Sequence, residues 1–217
     1  MIRCLVLDHD DTAVDSTATI HYPAHRECIA RLRPRLAPVT LEEWFLKNFD
    51  PGISHYLEQE LRLDETELRT EMEIWRSHTA SRLPHFYPGI VDLLRRFRER
   101  GGVVAVVSHS EVATIERHYG AAGFTPDAIY GWADDPAKRK PSPWPVDRIR
   151  ESHRLAADEV VVVDDLKPGV LMARNAGVRA AAAGWAHSIP QIQDWMRANC
   201  EAYLPSVADL ERFVLEG

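Results

Sequence analysis

The sequence lacks the features of several large protein classes. Its 217 residues contain only three cysteines, Cys4, Cys28 and Cys200, too scattered for a metal-binding spacing and too few for a disulfide framework. The first apolar run, residues 2–7, is interrupted by Arg3 and is far shorter than the roughly 20 residues that cross a bilayer. There is no basic excess, since 26 Lys and Arg stand against 33 Asp and Glu, and this disfavours nucleic-acid binding. We therefore expect a protein of a reducing compartment, by default the cytoplasm, with neither nucleic acid nor membrane as partner.

Short, continuous apolar runs alternate with helical patterns through most of the chain. The composition, 45% hydrophobic and 27% charged, is ordinary for a globular protein, and the length suits one large domain or one domain with an insert. Continuous rather than alternating runs are typical of strands covered on both faces, as in a parallel sheet. The runs lie at residues 2–7, 103–107, 127–130, 159–163 and 178–182; the helical patterns lie at 90–100, 111–122, 144–154, 169–176 and 189–199. This alternation predicts an α/β core with a doubly wound, Rossmann-like parallel sheet.

One long stretch, residues 16–84, contains no convincing strand. The segments starting at Thr40 and Asp64, each with Glu three residues later, are predicted capping boxes that open helices. Helical spacing is found at residues 24–36, 41–48, 53–61 and 65–82. We expect a core domain of residues 1–15 and 85–217, and an all-helical cap domain of residues 16–84 inserted after the first strand.

Within this insert, aromatic side chains are predicted to form the packing core. Large aromatic side chains dominate the cores of small helical units, and the predicted set is Trp44, Phe45, Phe49, Tyr56 and Trp75. His25 is instead expected on an exposed helix face.

Polar side chains follow the predicted core strands at the points where the strands end. The carboxyl ends of parallel strands meet at one edge of a sheet, where α/β proteins bind ligands. The residues read in this way are Asp8 and Asp10 after the first run, Ser108 after the second, Lys140 in the loop between the third and fourth, and Asp164 and Asp165 after the fourth. We therefore expect these six side chains to converge.

This combination of side chains suits phosphate chemistry. Crowded carboxylates repel one another unless a cation lies among them, and hard oxygen ligands without a Cys or His cluster favour Mg²⁺. A lysine and a serine hydroxyl provide the charge and the hydrogen bond that a bound phosphate needs. One carboxylate can attack phosphorus while a second carboxylic acid protonates the leaving group.

The same residues carry a resemblance to a known family. Asp8-His9-Asp10-Asp11-Thr12 after a hydrophobic strand resembles the DxDxT motif of the haloacid dehalogenase-like phosphatase superfamily. The strand that ends in Ser108, the KPxP segment from Lys140 and the acidic pair Asp164-Asp165 resemble its second, third and fourth motifs. The segment from Gly169 to Gly177 is similar to the phosphoglycolate-phosphatase-like branch, which has a helical cap after the first motif.

The resemblance implies a role for each matching residue. Asp8 would be the nucleophile that becomes aspartyl-phosphate, and Asp10 the general acid and base, with its backbone carbonyl on the metal. Lys140 would neutralise the phosphate and the nucleophile. The implied phosphate-binding residues are Thr12, Ser108, His109 and Lys140, and the implied Mg²⁺ ligands are Asp8, Asp10, Asp164 and Asp165. His109 has a second interpretation, as a cap of the following helix together with Ser110.

The chain departs from the family pattern at three positions. Asp11 replaces a common glycine, His9 stands where an apolar residue is usual, and His109 replaces a frequent asparagine. None of these changes removes a required group, but they are expected to make the substrate pocket more polar.

We therefore expect a Mg²⁺-dependent phosphatase that hydrolyses a small phosphorylated metabolite under a closing cap. A sugar phosphomutase is an alternative, because Asp164 beside Asp165 is similar to the mutase acid pair. A phosphonate hydrolase would need a cap lysine, and Lys47 is the only lysine of the insert. From a different class, a phospho-accepting signalling module or an inactive binding protein also remains open, as do the substrate and the oligomeric state.

Overall fold

The computed structural model describes residues 1–216. In chain order the α-helices and β-strands are β1 (Cys4–Leu7), β2 (Val14–Asp15), α1 (Tyr22–Leu32), α2 (Leu41–Phe49), α3 (Ile53–His55), α4 (Glu65–Ser81), β3 (His85–Phe86), α5 (Ile90–Glu99), β4 (Val103–Val107), α6 (Val112–Ala121), β5 (Ala128–Tyr130), α7 (Trp144–His153), β6 (Val160–Asp164), α8 (Lys167–Asn175), β7 (Arg179–Ala183), α9 (Pro190–Asn199), β8 (Ala202–Leu204) and α10 (Val207–Leu215). Short π-helices lie at Thr17–His21 and Tyr56–Glu60, and short 3₁₀ helices at Pro136–Lys138 and Ala157–Glu159. The chain divides into two compact units: the first contains residues 1–14 and 86–216, and the second contains residues 15–85.

The first unit is built on a parallel sheet, which confirms the predicted α/β fold class. Over residues 1–216 the sheet has six strands in the order β5-β4-β1-β6-β7-β8, and neighbouring strands pair in parallel. The sequence interpretation missed β8 and the helix α10 that follows it. The reason for the missed strand is physical: β8 is a three-residue edge strand, Ala-Tyr-Leu, and is too short to show a periodic pattern.

Successive residues of the central strands pack into two separate cores. In β1, Leu5 and Leu7 join a cluster that also contains Leu93 of α5, whereas Cys4 and Val6 join a cluster that contains Val146 of α7. Because side chains alternate between the two faces of a strand, this division shows that helices cover the sheet on both faces. Burial on both faces explains why these strands appear in the sequence as continuous apolar runs.

The strand order determines where the loops can meet. β1 lies between β4 and β6, and the chain moves outward from β1 in opposite directions on its two sides. This reversal creates a switch point at the carboxyl end of β1, the position where open α/β sheets bind ligands. The loops after β1, β4 and β6 therefore begin side by side.

The second unit, residues 15–85, is helical and has its own core. Both capping boxes are confirmed: Thr40 with Glu43 opens α2, and Asp64 with Glu67 opens α4. The first predicted helix, residues 24–36, ends earlier, at Leu32, because Pro34 disfavours a helical conformation of the residue before it. None of the helices in residues 1–216 combines the length and the apolar character that a bilayer crossing requires.

Of the five predicted aromatic residues, the core cluster of residues 15–85 contains Trp44 and Tyr56, and the expectation for His25 was wrong. His25 is only 3% exposed, and its ring stacks on Trp44 with centroids 4.2 Å apart. It lies one turn before Cys28 and Ile29 on α1, so it shares the helix face that packs inward. Within the described residues neither ring nitrogen has a hydrogen-bond partner, and burial lowers the pKa of His25 to about 4.

The burial of His25 predicts a loss of stability in mild acid. The unfolded chain, whose histidine has a pKa of about 6.5, binds a proton before the folded protein does, so the contribution of His25 to stability should fall as the pH drops from about 6.5 towards 4. His25→Phe should reduce this slope and stabilise the protein at pH 5, as measured by urea unfolding at about pH 7 and pH 5. His55→Gln, at an exposed histidine of the same unit, is the control and should leave the slope unchanged. An unaltered slope in His25→Phe would contradict the assignment.

Candidate active site

A buried lysine joins two carboxylates at the carboxyl end of the sheet. Lys140 Nζ donates to Asp8 Oδ1 at 2.6 Å and to Asp164 Oδ2 at 2.8 Å, and all three side chains are buried. Asp8 directly follows β1, and Asp164 ends the neighbouring strand β6. Their backbones are also linked, because Asp8 N–H donates to Val163 O at 2.9 Å. The adjacent strands therefore bring together residues that are 156 positions apart in the chain.

Burial and mutual repulsion shape the ionisation of this group. Burial raises the pKa of Asp8 well above its usual range, Lys140 opposes that shift, and the charges of Asp164, Asp165 and Asp10 add to it. The pKa of Asp164 is also raised, first by burial. Burial alone would lower the pKa of Lys140, but the carboxylates of Asp164 and Asp8 outweigh burial and raise it. One ammonium group, that of Lys140, therefore neutralises only part of the negative charge of the buried carboxylates.

Asp165 lies beside this group with both of its carboxylate oxygens engaged. Thr12 Oγ1 donates to Asp165 Oδ1 at 2.8 Å, and His187 Nε2 lies 2.6 Å from Asp165 Oδ2. Asp8, Asp164 and Asp165 can each offer one carboxylate oxygen such that these atoms lie within 4.8 Å of one another. All three residues are buried. Three oxygen donors at this separation form a candidate site for a hard divalent cation.

Asp10 has different neighbours from the other acids. Its Oδ2 accepts hydrogen bonds from Ser110 Oγ at 2.6 Å and from Ser108 Oγ at 3.2 Å. Ser108 Oγ in turn accepts from the backbone N–H of Ser110 at 3.0 Å. The side chain of Asp10 is therefore held by the loop after β4 and is not part of the three-carboxylate group.

His109 points to the backbone of Lys140. Its Nε2 lies 3.1 Å from the Lys140 carbonyl oxygen, so Nε2 carries the proton that is donated. Burial, followed by the charge of Lys140, lowers the pKa of His109 to about 4. The alternative of a helix cap formed with Ser110 is wrong, because Glu111 is the N-cap of α6 and Ser110 Oγ bonds Asp10 instead.

The loop after β1 explains the two other departures from the family pattern. Asp11 adopts a left-handed conformation with φ of 57°, which glycine usually supplies and which Asp tolerates better than most residues. His9 is completely buried. Its Nε2 lies 2.9 Å from Nδ1 of His118, and its ring packs near the ring of Tyr119. His9 therefore belongs to the core of the first unit, and the expectation that it adds polarity to a substrate pocket was wrong.

Two residues of this constellation were missed in the sequence. Ser110 lies two positions after Ser108, and its hydroxyl joins Ser108 on Asp10. His187 follows the carboxyl end of β7, the strand next to β6, so applying the same strand-end criterion to the last predicted run would have located it. No motif of the resembling family marked this loop.

Comparison with known proteins places the chain in a family. The profile of the haloacid dehalogenase-like hydrolases matches residues 5–183, and the chain belongs to this family. A phosphoglycolate phosphatase of Vibrio cholerae is 27% identical over an alignment of 187 residues that covers 81% of each chain. Among solved structures, a haloacid dehalogenase-like hydrolase of Streptococcus pneumoniae is 19% identical with a TM-score of 0.76, covering 100% of this chain and 99% of that one. A variant of CbbY from Rhodobacter sphaeroides, in complex with xylulose-1,5-bisphosphate, is 21% identical with a TM-score of 0.69, covering 97% and 99%.

The first turn of α8 requires glycine next to the site. A Cβ built on Gly169 would lie 1.9 Å from Asp164 Oδ2, so Gly169→Ala should displace this carboxylate from Lys140 and cost about 1–3 kcal/mol of stability. Gly120, within α6, has nothing within 4 Å of the corresponding position, so Gly120→Ala should instead stabilise the protein by about 0.5–1 kcal/mol. Urea unfolding of both variants tests this contrast. Equal stability of Gly169→Ala and the wild type would show that the helix relaxes without moving Asp164.

Proposed function

We propose that this protein is a Mg²⁺-dependent phosphatase that hydrolyses a small organic phosphate monoester through an aspartyl-phosphate on Asp8. The observation that carries the proposal is the bridge made by Lys140 Nζ between Asp8 and Asp164, beside a third buried carboxylate, Asp165. The bridge places the proposed nucleophile, Asp8, and a fixed cation, Lys140, in a buried position at the switch point of the sheet. Membership of a hydrolase family supports the same conclusion.

The proposed reaction has two steps, both at phosphorus. In the first, a carboxylate oxygen of Asp8 bonds to phosphorus, the bond to the ester oxygen breaks, and Asp10 gives that oxygen a proton. In the second, a water attacks phosphorus, Asp10 takes its proton, and inorganic phosphate leaves while the Asp8 carboxylate is restored. We assign the proton transfers to the Asp10 carboxyl, whose orientation is held by the hydrogen bond that its Oδ2 accepts from Ser110 Oγ.

The remaining groups are proposed to bind and position the phosphate. Lys140 is already within hydrogen-bond distance of the nucleophile, so its charge would stabilise the developing negative charge on the phosphoryl oxygens. When substrate binds, Ser108 is proposed to turn its hydroxyl proton from Asp10, which keeps the hydrogen bond from Ser110, to a phosphoryl oxygen. Thr12 is proposed to fix the loop through Asp165. His109 would act on the phosphate site through the backbone of Lys140, to which its Nε2 donates.

The donor set fits Mg²⁺ by its chemistry. We propose that Asp8, Asp164, Asp165 and the backbone carbonyl of Asp10 hold the ion. Asp8 and Asp164 share one ammonium group, and Asp165 lies beside them. Burial, with repulsion from the neighbouring carboxylates, raises the pKa values of Asp8 and Asp164. A bound divalent ion supplies positive charge that reduces the repulsion between an anionic nucleophile and an anionic substrate.

The substrate is proposed to be a small phosphorylated metabolite. The helical unit follows the Asp8–Thr12 loop directly in the chain, and we propose that residues 16–84 form a cap domain that selects the leaving group. A cap that closes on a site admits small esters and excludes phosphoproteins. Phosphoglycolate is the first compound to test, because the curated relatives are named for it.

The purified protein should release inorganic phosphate from at least one compound in a panel of small phosphate esters with Mg²⁺. Phosphoglycolate and a generic aryl phosphate should be included. Asp8→Asn should abolish turnover with the fold unchanged by circular dichroism, because the amide keeps the shape but cannot attack phosphorus. Residual activity within about tenfold of the wild type, about 1.4 kcal/mol of barrier, would rule out Asp8 as the nucleophile.

Chelation by EDTA should abolish phosphatase activity, and added Mg²⁺ should restore it. Asp165→Ala should raise the Mg²⁺ concentration required for half-maximal activity more than Asp164→Ala, because the charge of Asp164 is already paired with Lys140. Asp158→Ala, at an exposed acid before β6, is the control and should leave the requirement unchanged. If Asp164→Ala raised the required Mg²⁺ concentration more than Asp165→Ala, Asp164 and not Asp165 would be the more important metal ligand. Full activity in EDTA would show that the reaction needs no metal.

A further inference from the structure

We infer that His187 is a positioning residue that orients the Asp165 carboxylate for the cation, an inference that rests on the proposed function. His187 lies in the loop between β7 and α9, outside the segments that resemble the family motifs. Its Nε2 is 2.6 Å from Asp165 Oδ2, and both side chains are buried. This loop thereby becomes a fifth segment of the site.

The two hydrogen bonds to Asp165 come from opposite ends of its carboxylate. Thr12 Oγ1 donates to Oδ1 at 2.8 Å, and His187 holds Oδ2. Because a carboxylate only accepts hydrogen bonds, Nε2 is the protonated ring nitrogen in this contact. With both oxygens held, the carboxylate cannot rotate about its own axis, and its remaining lone pairs keep one direction.

The loop that carries His187 is itself tied to the site. Trp185 Nε1 donates to the backbone oxygen of Thr12 at 3.1 Å, two residues before His187. From the other side, Gln193 Nε2 of α9 donates to the backbone oxygen of His187 at 2.7 Å. These two hydrogen bonds fix the backbone of the loop, and a residue that sets the angle of a ligand requires a fixed backbone.

Holding Asp165 in one orientation serves metal binding in particular. Groups that hydrogen-bond to a ligating carboxylate fix its geometry before the ion arrives, and their loss usually weakens metal affinity by about 10- to 100-fold. Asp8 and Asp164 are oriented by Lys140, so Asp165 is the one member of the three-carboxylate group that needs a different partner.

The test compares His187→Asn with His187→Gln. Glutamine extends an amide nitrogen about as far as Nε2, whereas asparagine reaches only about as far as Nδ1, so both variants are polar but only one can donate to Asp165. We expect His187→Asn to weaken Mn²⁺ binding by about 10- to 100-fold. We expect His187→Gln to stay within about threefold of the wild type, since the donated hydrogen bond is kept. Binding is measured on the apoprotein by the electron paramagnetic resonance signal of free Mn²⁺, and Ser188→Ala, at the exposed next residue, is the control.

Each outcome decides the inference. Equal Mn²⁺ affinity of His187→Asn and the wild type overturns it, as does an equal loss in both His187 variants when circular dichroism shows them folded. If His187→Asn does not fold, Trp185→Phe replaces it, removing the N–H that ties the same loop to Thr12, and unchanged affinity then overturns the inference. Wild-type protein that binds Mn²⁺ but hydrolyses no ester in the panel refutes the proposed function and leaves the His187 result standing.

Discussion

The structure depends on keeping several charges buried at one end of a parallel sheet. Lys140 bonds Asp8 and Asp164 with its single ammonium group, and none of these three charges could stay buried alone without a large desolvation cost. The cluster is possible only because β1 and β6 are neighbours, so that their last residues come within reach of one side chain. The strand order is therefore a condition for the chemistry as well as for the fold.

The acids of the site differ in their partners, and this difference separates their proposed roles. Asp8 and Asp164 share Lys140, Asp165 has Thr12 and His187, and Asp10 has two serine hydroxyls. Carboxyl groups that lie close together thereby have different hydrogen-bond partners. Different surroundings allow neighbouring carboxyl groups to take different chemical roles.

The helical unit, residues 15–85, packs around a hydrophobic core of its own. It interrupts the core between β1 and β4 and builds a separate core around Trp44 and Tyr56, with capping boxes at the starts of α2 and α4. The buried, neutral His25 shows that this core accepts an unpaired polar ring at some cost in stability.

Much of the architecture follows from the sequence alone. Strands buried on both faces appear as continuous apolar runs such as residues 159–163, capping residues mark helix starts, and an acid after a buried strand indicates a site at the sheet edge. These features are local, so a periodic pattern or a short spacing is enough to show them. The short edge strand β8 has no such pattern, and its three residues become a strand only by pairing with β7.

The partners of the site residues were decided by the tertiary structure. Nothing near His187 in the chain indicates that it bonds Asp165, and nothing near Ser110 indicates that it bonds Asp10 in preference to capping a helix. His9 adjoins Asp8 in the sequence, yet its side chain enters the core, because successive residues leaving a strand point to opposite sides. Sequence determines which groups stand at the strand ends, whereas their contacts depend on distances between strands and loops that are set only when the sheet and its helices pack.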